Sequence, residues 1–522
     1  MADLRKTIRR QAWLKLVLIW LISGLLFTVA QGSHLRSDWS ENQTSSLSSS
    51  TKQVLQALDE PIQIKAYFTE GLPQPYGQLR QFVEDTLMNY RDAADGNLGF
   101  EMLNPEDDPN IQASLQALRI PQVQVQVIED DRAQVRQAYL AIVIEYLDKQ
   151  EVIPVVQTDA GFEYLLTRKI KKLTGKGKQT IAVATGFGAK ASQDLQTLQK
   201  LLQDDYDFID VDLASQSVPD TAQVLIVDGV DQKPSERFRY HLDQFRMTGK
   251  GVLILASNAE PLLQAGFVVQ PVDSYANDWL LSDLGVSVEP GLIMDQQASR
   301  ITVNQQQAGF AFSSIVDYPF VANVVHLNQD FIVTQGVESV SVAFAAPLLW
   351  KEEGQGRDVL LMSSEWTAVQ DGPPFDVNPL VSMRERFAGL HMSPQALMLV
   401  WQGQMTSAFS KALGKGDAFI PSVEQGRLIV SGSSALLDDE FITGENTVFI
   451  LNMLDWLSHD EALIALRSKG VTQRPLAQLS KQERTFFKVV WMFALPLLLL
   501  ILAGWRWLYL RKRSHQAQAE ST

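Results

Sequence analysis

The chain has 522 residues, 46% of them hydrophobic, which allows two or three packed domains and argues against dominant disorder. It contains no cysteine, which excludes disulfides, thiolate nucleophiles and cysteine–zinc sites. The formal net charge is −15 at pH 7. Because an acidic surface repels phosphate backbones, we expect no nucleic acid among its partners.

Two apolar segments near the ends of the sequence predict transmembrane helices. Residues 13–32 form the first, about the length needed to span a bilayer. A cleaved signal peptide is the alternative, with residues 28–30 (Thr-Val-Ala) as its cleavage site. Residues 486–510 form the second, which ends in aromatic residues before the basic run 511–513. Aromatics followed by basic residues are typical of the cytoplasmic end of a span.

Basic residues in the tails 1–12 and 511–522 predict that both termini are cytoplasmic. The sequence therefore predicts a two-pass protein of the inner (cytoplasmic) membrane, in contact with the lipid bilayer and with the bulk of the chain periplasmic. Residues 33–60 are expected to form a stalk and a short helix, and residues 467–485 a juxtamembrane segment.

Residues 61–174 predict a thioredoxin-like domain, because their element order is β-α-β-α-β-β-α. The strands show period-two alternation around Ile64, Phe100 and Val125, followed by an apolar run at Leu140–Tyr146. Pro121 precedes the third predicted strand, where that fold usually keeps a cis proline. Without cysteine, such a domain is expected to be a scaffold and not a redox catalyst.

Residues 178–466 predict an α/β domain with a mostly parallel sheet. Short apolar strands alternate with helical patterns, which favours right-handed crossovers. The strands lie at residues 181–184, 208–211, 224–227 and 252–255. Residues 300–424 are less regular and are interpreted as a large insertion, after which a strand at 428–432 and a helix at 448–457 are expected to complete the sheet.

No motif in the sequence assembles a catalytic centre. The glycine–lysine runs 249–251 and 414–416 lack the spacing and the hydroxyl of a Walker A loop. The Gly-x-Ser-x-Gly elbow of serine hydrolases is absent, and the nearest run, 431–434, is interpreted as a turn. We therefore predict a protein that is not an enzyme, with no catalytic residues.

Metal and cofactor sites are not predicted either. The six histidines are scattered, and His241, on a predicted amphipathic helix, is interpreted as partly buried and not as a ligand. The acidic runs 106–108, 204–207 and 438–440 are interpreted as solvated or helix-capping carboxylates, since none has calcium-loop spacing.

One candidate ligand crevice follows from the predicted parallel sheet. Ligands of open α/β sheets bind beyond the carboxyl ends of the strands. Those ends supply five candidate residues: Thr185, Gly186, Gly188, Asp228 and Ser257. The glycines allow close backbone approach to a ligand, and ordinary turns are the alternative interpretation.

Several stretches of the sequence resemble the GldG-like auxiliary subunits of gliding-motility-type ABC transporters, from the first predicted span to the last. They are residues 38–42 (Asp-Trp-Ser-Glu-Asn), 59–61 (Asp-Glu-Pro), 104–109, 163–174, 432–437, 452–457 and 474–476. Thr185 and Gly186 also follow the first central strand as in that family. Phe187 and Gly188 depart from it, because they stand where the family often has Gly-His-Gly-Glu.

The resemblance implies a substrate-binding-like membrane subunit that works beside a separate permease and ATPase, on an unknown substrate. It also implies a central domain of the class I glutamine-amidotransferase-like (Rossmann/flavodoxin-like) α/β fold. The predicted function is a non-catalytic auxiliary subunit of an ABC transport complex. The alternative is a periplasmic, membrane-anchored binding or scaffold protein independent of a transporter. A hydrolase is disfavoured, because no nucleophile with a base can be assembled.

Overall fold

The computed structural model describes residues 46–129, 132–175, 178–262, 268–273, 275–307 and 310–470, together with isolated helical residues between 485 and 506. The chain divides into two units, residues 1–472 and 473–522. All helices and strands with defined bounds belong to the first unit, where they form an amino-terminal body and a larger second body.

The amino-terminal body is a four-stranded sheet with helices on both faces. Its strands follow the order β2-β1-β5-β6, with β1 parallel to β2 and antiparallel to β5. One face of β1 packs on α2 and α4, and the other face of the sheet packs on α3. The elements are α1 Ser49–Gln56, β1 Ile62–Phe68, α2 Tyr76–Ala93, β2 Leu98–Leu103, α3 Pro109–Ala117, β3 Val123–Glu129, β4 Arg132–Ala138, β5 Leu140–Tyr146, β6 Lys149–Ile153 and α4 Phe162–Thr174.

The pairing of the later strands differs from the prediction. Strand β3, predicted as the third strand of the sheet, instead pairs with β4 in a separate hairpin. The sheet takes β5 and β6 in its place. The physical reason is that β5 is apolar on both faces and buried almost throughout, whereas β3 alternates valine with glutamine and has one apolar face. The peptide bond before Pro121 is trans, unlike the predicted cis bond.

The carboxyl end of the predicted stalk is packed against the amino-terminal body. Leu47 is buried, and the side chain of Ser48 caps α1. The Ser48 amide and the Thr51 hydroxyl donate to the Glu163 carboxylate of α4, at 2.8 and 2.7 Å. Helix α1 is therefore an integral part of this body, while residues 33–45 lie outside the described residues.

The second body contains a large mixed sheet in the order β13-β19-β22-β23-β10-β9-β7-β8, with β20 and β17 joined to β22. Its elements are β7 Gln179–Thr185, α5 Gln196–Leu202, β8 Tyr206–Asp212, β9 Ala222–Asp228, α6 Glu236–Met247, β10 Gly251–Leu255, β11 Ala259–Pro261, β12 Val269–Pro271, α7 Asp278–Leu284, β13 Val286–Val288, β14 Leu292–Asp295, β15 Ala298–Gln307, β16 Phe310–Val324, β17 His326–Leu327, β18 Val340–Ala343, β19 Leu348–Trp350, β20 Arg357–Met362, β21 Thr367–Gln370, α8 Met383–Arg386, β22 Ala396–Thr406, β23 Ser422–Ser431, α9 Gly444–Leu457 and α10 Glu461–Gly470.

Half of the large sheet is parallel and half antiparallel. Strands β8, β7, β9, β10 and β23 run parallel, with helices α5 and α9 on one face and α6 and α7 on the other. Strands β19, β20 and β22 are antiparallel and come from residues 300–424. The segment interpreted as an insertion therefore extends the main sheet as well as forming the separate sheet β15-β16-β18.

Polar contacts join the two bodies around a cleft of about 480 Å³. Arg168 of α4 pairs with Asp205, and Lys171 pairs with Asp460. Arg467 of α10 is buried and donates to Asp455 and Asn452 of its own body. It also donates to the Tyr164 hydroxyl of the amino-terminal body, at 3.0 Å. Residues 467–470, predicted to begin a juxtamembrane segment, thus belong to the packed fold.

We expect Tyr164→Phe to lower the free energy of unfolding by about 1.5 kcal/mol, because it removes a hydrogen bond to the charged Arg467 guanidinium. Equilibrium unfolding in urea, followed by circular dichroism, measures the effect. Tyr275→Phe is the matched control, since the Tyr275 side chain is exposed. Equal stability of the two variants would show that the hydroxyl contact contributes nothing to the junction.

The predicted membrane placement is corrected by the structure. In the described part of the chain, no helix combines the length and the apolar character needed to cross a membrane. The predicted span 13–32 and both tails lie outside the described residues, and only isolated residues of 486–510 are described. The predicted localisation, a two-pass inner-membrane protein with cytoplasmic termini and a periplasmic bulk, therefore has no support in the structure.

Candidate functional site

The carboxyl ends of four parallel strands meet at one edge of the large sheet. Strands β23, β10, β9 and β7 are successive neighbours in the sheet. Their last residues are, in the same order, Ser431, Leu255, Asp228 and Thr185. The structure therefore places Thr185 and Asp228, predicted from the sequence, at the same edge. We call this region, with the loops that follow each strand, the carboxyl-edge crevice.

The loop after β7 is tightly folded and depends on glycine. Gly186, Phe187 and Gly188 all have positive φ angles, of 97°, 54° and 82°. A Cβ on Gly188 would lie 1.6 Å from an Asp231 carboxylate oxygen, so a side chain cannot be accommodated there without displacing Asp231. The loop is held by the Asp231 amide, which donates to the Phe187 carbonyl at 3.0 Å.

Lys190 is the central cation of the crevice, and the sequence interpretation missed it. Its amide donates to the Asp228 carbonyl at 2.8 Å. Its ammonium donates to the Asp438 carboxylate at 2.6 Å and to the Ser434 carbonyl at 2.9 Å, and lies 3.6 Å from Glu260. In the sequence, this site was indicated only by a lysine soon after a glycine loop. The carboxylates near its ammonium, Glu260 and Asp438, lie 70 and 248 residues further along the chain.

Asp228 is buried in this crevice without a hydrogen bond. Its side chain belongs to a residue with 0% exposure, and neither carboxylate oxygen has a hydrogen-bond partner among the described residues. Burial raises the pKa of Asp228 to about 8, because desolvation outweighs the opposing attraction of Lys190. At neutral pH the group is therefore mainly a neutral carboxyl.

The crevice carries more carboxyl groups than cations. Asp228, Glu260 and Asp438 all act electrostatically on Lys190, and burial raises the pKa of Glu260 above its ordinary value. The surrounding carboxylates raise the pKa of Lys190 despite its burial. The ammonium is thus firmly charged, so Lys190 is not suited to act as a general base.

Ser257 follows the end of β10, and its hydroxyl is engaged by the backbone. Its hydroxyl is buried and donates to the carbonyls of Ala259 and Phe344, at 2.7 and 3.2 Å. Ser433, in the run interpreted as a turn, likewise donates to the Ala343 carbonyl. Both hydroxyls therefore stabilise loops, and among the described residues neither is bonded to a group that could deprotonate it.

The other sequence candidates have structural contacts. His241 is buried, and its Nδ1 lies 2.8 Å from the Leu213 carbonyl. In the run 106–108, Asp108 caps α3, and in the run 204–207 the carboxylates pair with Arg168, Lys172 and Lys178. Asp438, interpreted as solvated, instead binds Lys190. Within the described ranges, no group of three or more His, Asp or Glu side chains could hold a metal ion.

Comparison with known proteins gives a full-length relative and distant structural likenesses. A protein of Borreliella burgdorferi is 21% identical over 506 residues, covering 94% of this chain and 96% of its own length. The mmIFT52 N-terminal domain (14% identity) matches 53% of this chain and 97% of its own, with a TM-score of 0.33. A thua-like protein of Parabacteroides merdae (12% identity) matches 59% and 94%, with a TM-score of 0.26. TM-scores this low do not establish a shared fold.

Two family models match the chain. A domain of unknown function covers residues 41–145, which corresponds to most of the amino-terminal body. The model of an ABC-type uncharacterized transport system covers residues 178–460, which contain the large sheet and the carboxyl-edge crevice. Because that match spans more than half of the sequence, the chain belongs to the family of auxiliary components of ABC-type transport systems.

Proposed function

We propose that this chain is a non-catalytic auxiliary subunit that acts with a separate permease and a separate ATPase of an ABC transport complex. Membership of the auxiliary family supports association with transporter components. The sequence has no Walker A loop, so ATP hydrolysis would be supplied by a partner.

The observation that best supports a non-catalytic role is the arrangement of the carboxyl-edge crevice. The ammonium of Lys190 is engaged by Asp438 and the Ser434 carbonyl, and the nearby serine hydroxyls donate to backbone carbonyls. Acyl transfer needs a nucleophile hydrogen-bonded to a base, and the described residues of this crevice offer no such pair. The crevice is better suited to binding and to holding loops in place.

We also propose a specific fold for each of the two bodies. A parallel pair β1–β2 beside the antiparallel strands β5 and β6 supports a thioredoxin-like amino-terminal body. The parallel set β10, β9, β7 and β8 between helices supports a class I glutamine-amidotransferase-like second body. The GldG-like identity stays a prediction.

Co-purification tests the proposed function. The tagged full chain, solubilised gently from its native cells, is expected to bring down a polytopic permease and a Walker-type ATPase in a stable ratio, identified by mass spectrometry. An unrelated acidic protein with the same tag is the control. Recovery of the chain without either transporter component would contradict the proposal and favour a binding or scaffold protein. The purified chain alone is expected to hydrolyse no ATP.

A further inference from the structure

A β-hairpin extends from the core of the second body. Strands β15 and β16 pair from Ala298 to Gln307, and beyond that pairing β16 continues into the core. The base of the hairpin is anchored, because Tyr318 and Phe320 are buried against Phe344. Residues 312–315 are all exposed, with Ile315 at 72%. We call residues 298–307 and 310–317 the arm.

The outer edge of the arm is open, and beyond the Arg300–Asp317 ion pair at its base the arm is uncharged. In the three-stranded sheet β15-β16-β18, β15 is an edge strand, so its outward N–H and C=O groups have no neighbouring strand in the described part of the chain. From residue 301 to residue 316 the sequence has neither a charged residue nor a proline. Such an edge is a template for pairing with another strand.

Two other sheet edges of this protein are protected by charge. The edge strand β8 of the large sheet carries Asp207, Asp210 and Asp212 along its length. The edge strand β2 of the amino-terminal sheet carries the exposed Glu101. Charged residues on edge strands oppose unwanted pairing. Beyond Arg300, β15 has no such protection, which sets residues 301–307 apart from these edges and leaves them available for pairing.

A second copy of this chain fits the arm better than other occupants do. The net charge of −15 makes most surfaces of two copies repel each other, whereas the uncharged residues 301–307 of two arms can approach without this repulsion. The exposed Asn304 carries an amide that is both donor and acceptor, so the same residue on a second copy is complementary to it. Around a two-fold axis, the open edge of β15 in each copy pairs with the same edge of the other copy, so both edges are hydrogen-bonded at once. A two-stranded hairpin alone is marginally stable, and pairing would extend it to four strands.

We propose that β15 pairs antiparallel with β15 of a second copy, so that the two arms form a continuous four-stranded ribbon across a two-fold axis. This inference is independent of the transporter assignment. It makes the auxiliary component a dimer in which the ribbon joins the second bodies of the two copies.

The mass of the purified full chain, measured by light scattering after size-exclusion chromatography, tests this pairing. The wild-type chain is expected to be a dimer, and Thr302→Lys, which puts a charge on the exposed arm, is expected to weaken dimerisation at least tenfold. Thr406→Lys, the same change at an exposed threonine of β22, is the matched control and is expected to stay dimeric. A monomeric wild type, or an undiminished Thr302→Lys dimer, would overturn the proposal.

Disulfide cross-linking tests the same contact without depending on the folding of a charged variant. Because the chain has no cysteine, Thr302→Cys and Asn304→Cys introduce single thiols on the arm. Under mild oxidation, we expect a covalent dimer from one of them alone or from their mixture, since an antiparallel dyad near residue 303 brings these positions together. Asp207→Cys on the charged edge β8 is expected to stay uncross-linked. Cross-linking at Asp207→Cys and none on the arm would place any dimer contact elsewhere.

Discussion

Asp243→Ala is expected to lower the free energy of unfolding by about 3–5 kcal/mol, because it leaves the charge of Arg246 uncompensated in the core. The two side chains lie 2.8 Å apart on α6, and Arg246 has 0% exposure. The Asp243 carboxylate also accepts hydrogen bonds from the Ser407 hydroxyl and the Ala408 amide, at 2.5 and 3.1 Å. The pair therefore fastens α6 to the segment after β22.

The environment of Arg246 offers little to replace Asp243. Its guanidinium lies 5.5 Å from the Trp401 ring and donates to the Thr406 carbonyl, but its Nε and one terminal nitrogen have no partner among the described residues. Desolvation lowers the pKa of Arg246, which shows how unfavourable the charge already is at this depth. Removing the carboxylate that pairs with Arg246 is therefore costly.

Urea unfolding of the Asp243→Ala variant measures the effect, with Asp92→Ala as the control. Asp92 pairs with Arg91 at the surface, where an ion pair contributes at most about 1 kcal/mol. Replacing both core partners, in Asp243→Leu with Arg246→Met, is expected to recover most of the lost stability, because no buried charge remains. A loss for Asp243→Ala as small as that for Asp92→Ala would mean that water reaches Arg246.

Local sequence patterns were sufficient to predict the strands in the parallel half of the large sheet. Strands such as β9 and β10 are short, continuous apolar runs between helical patterns, and this arrangement restricts them to a buried parallel sheet. The pattern could not decide which strands pair over long distances. The hairpin of β3 and β4, and the antiparallel strands β19, β20 and β22, depend on tertiary packing and not on local periodicity.

The candidate site shows the same division. Asp228 and the glycine loop could be placed from the sequence, because the carboxyl ends of parallel strands share one edge of the sheet. The pairing of Lys190 with Asp438 could not be predicted, because 248 residues separate them and a run of acidic residues is typical of a solvated surface. The partners of the Ser257 hydroxyl could not be predicted, because a hydroxyl after a strand can turn either way, and here it donates to two carbonyls.

The carboxyl of Asp228 should make stability depend on pH in a direction opposite to that of most acidic groups. Its pKa is about 8 in the folded chain and about 3.9 in an unfolded one. Between these values the folded state holds a proton that the unfolded state has lost. The contribution is therefore fully present below about pH 4 and is lost as pH rises through 8, by about 1.4 kcal/mol per pH unit.

Asp228→Asn is expected to remove this decline and to be more stable than the wild type at pH 8, because an amide buries no charge at any pH. Free energies of unfolding measured in urea between pH 5 and pH 8 test this, with Asp92→Asn as an exposed control that should follow the wild-type profile. If the Asp228→Asn profile instead ran parallel to the wild type and below it, Asp228 would be ionised and stabilised by Lys190. Lys190 would then balance Asp228 as well as Asp438, so the two outcomes distinguish whether Asp228 shares the charge of the central cation of the crevice.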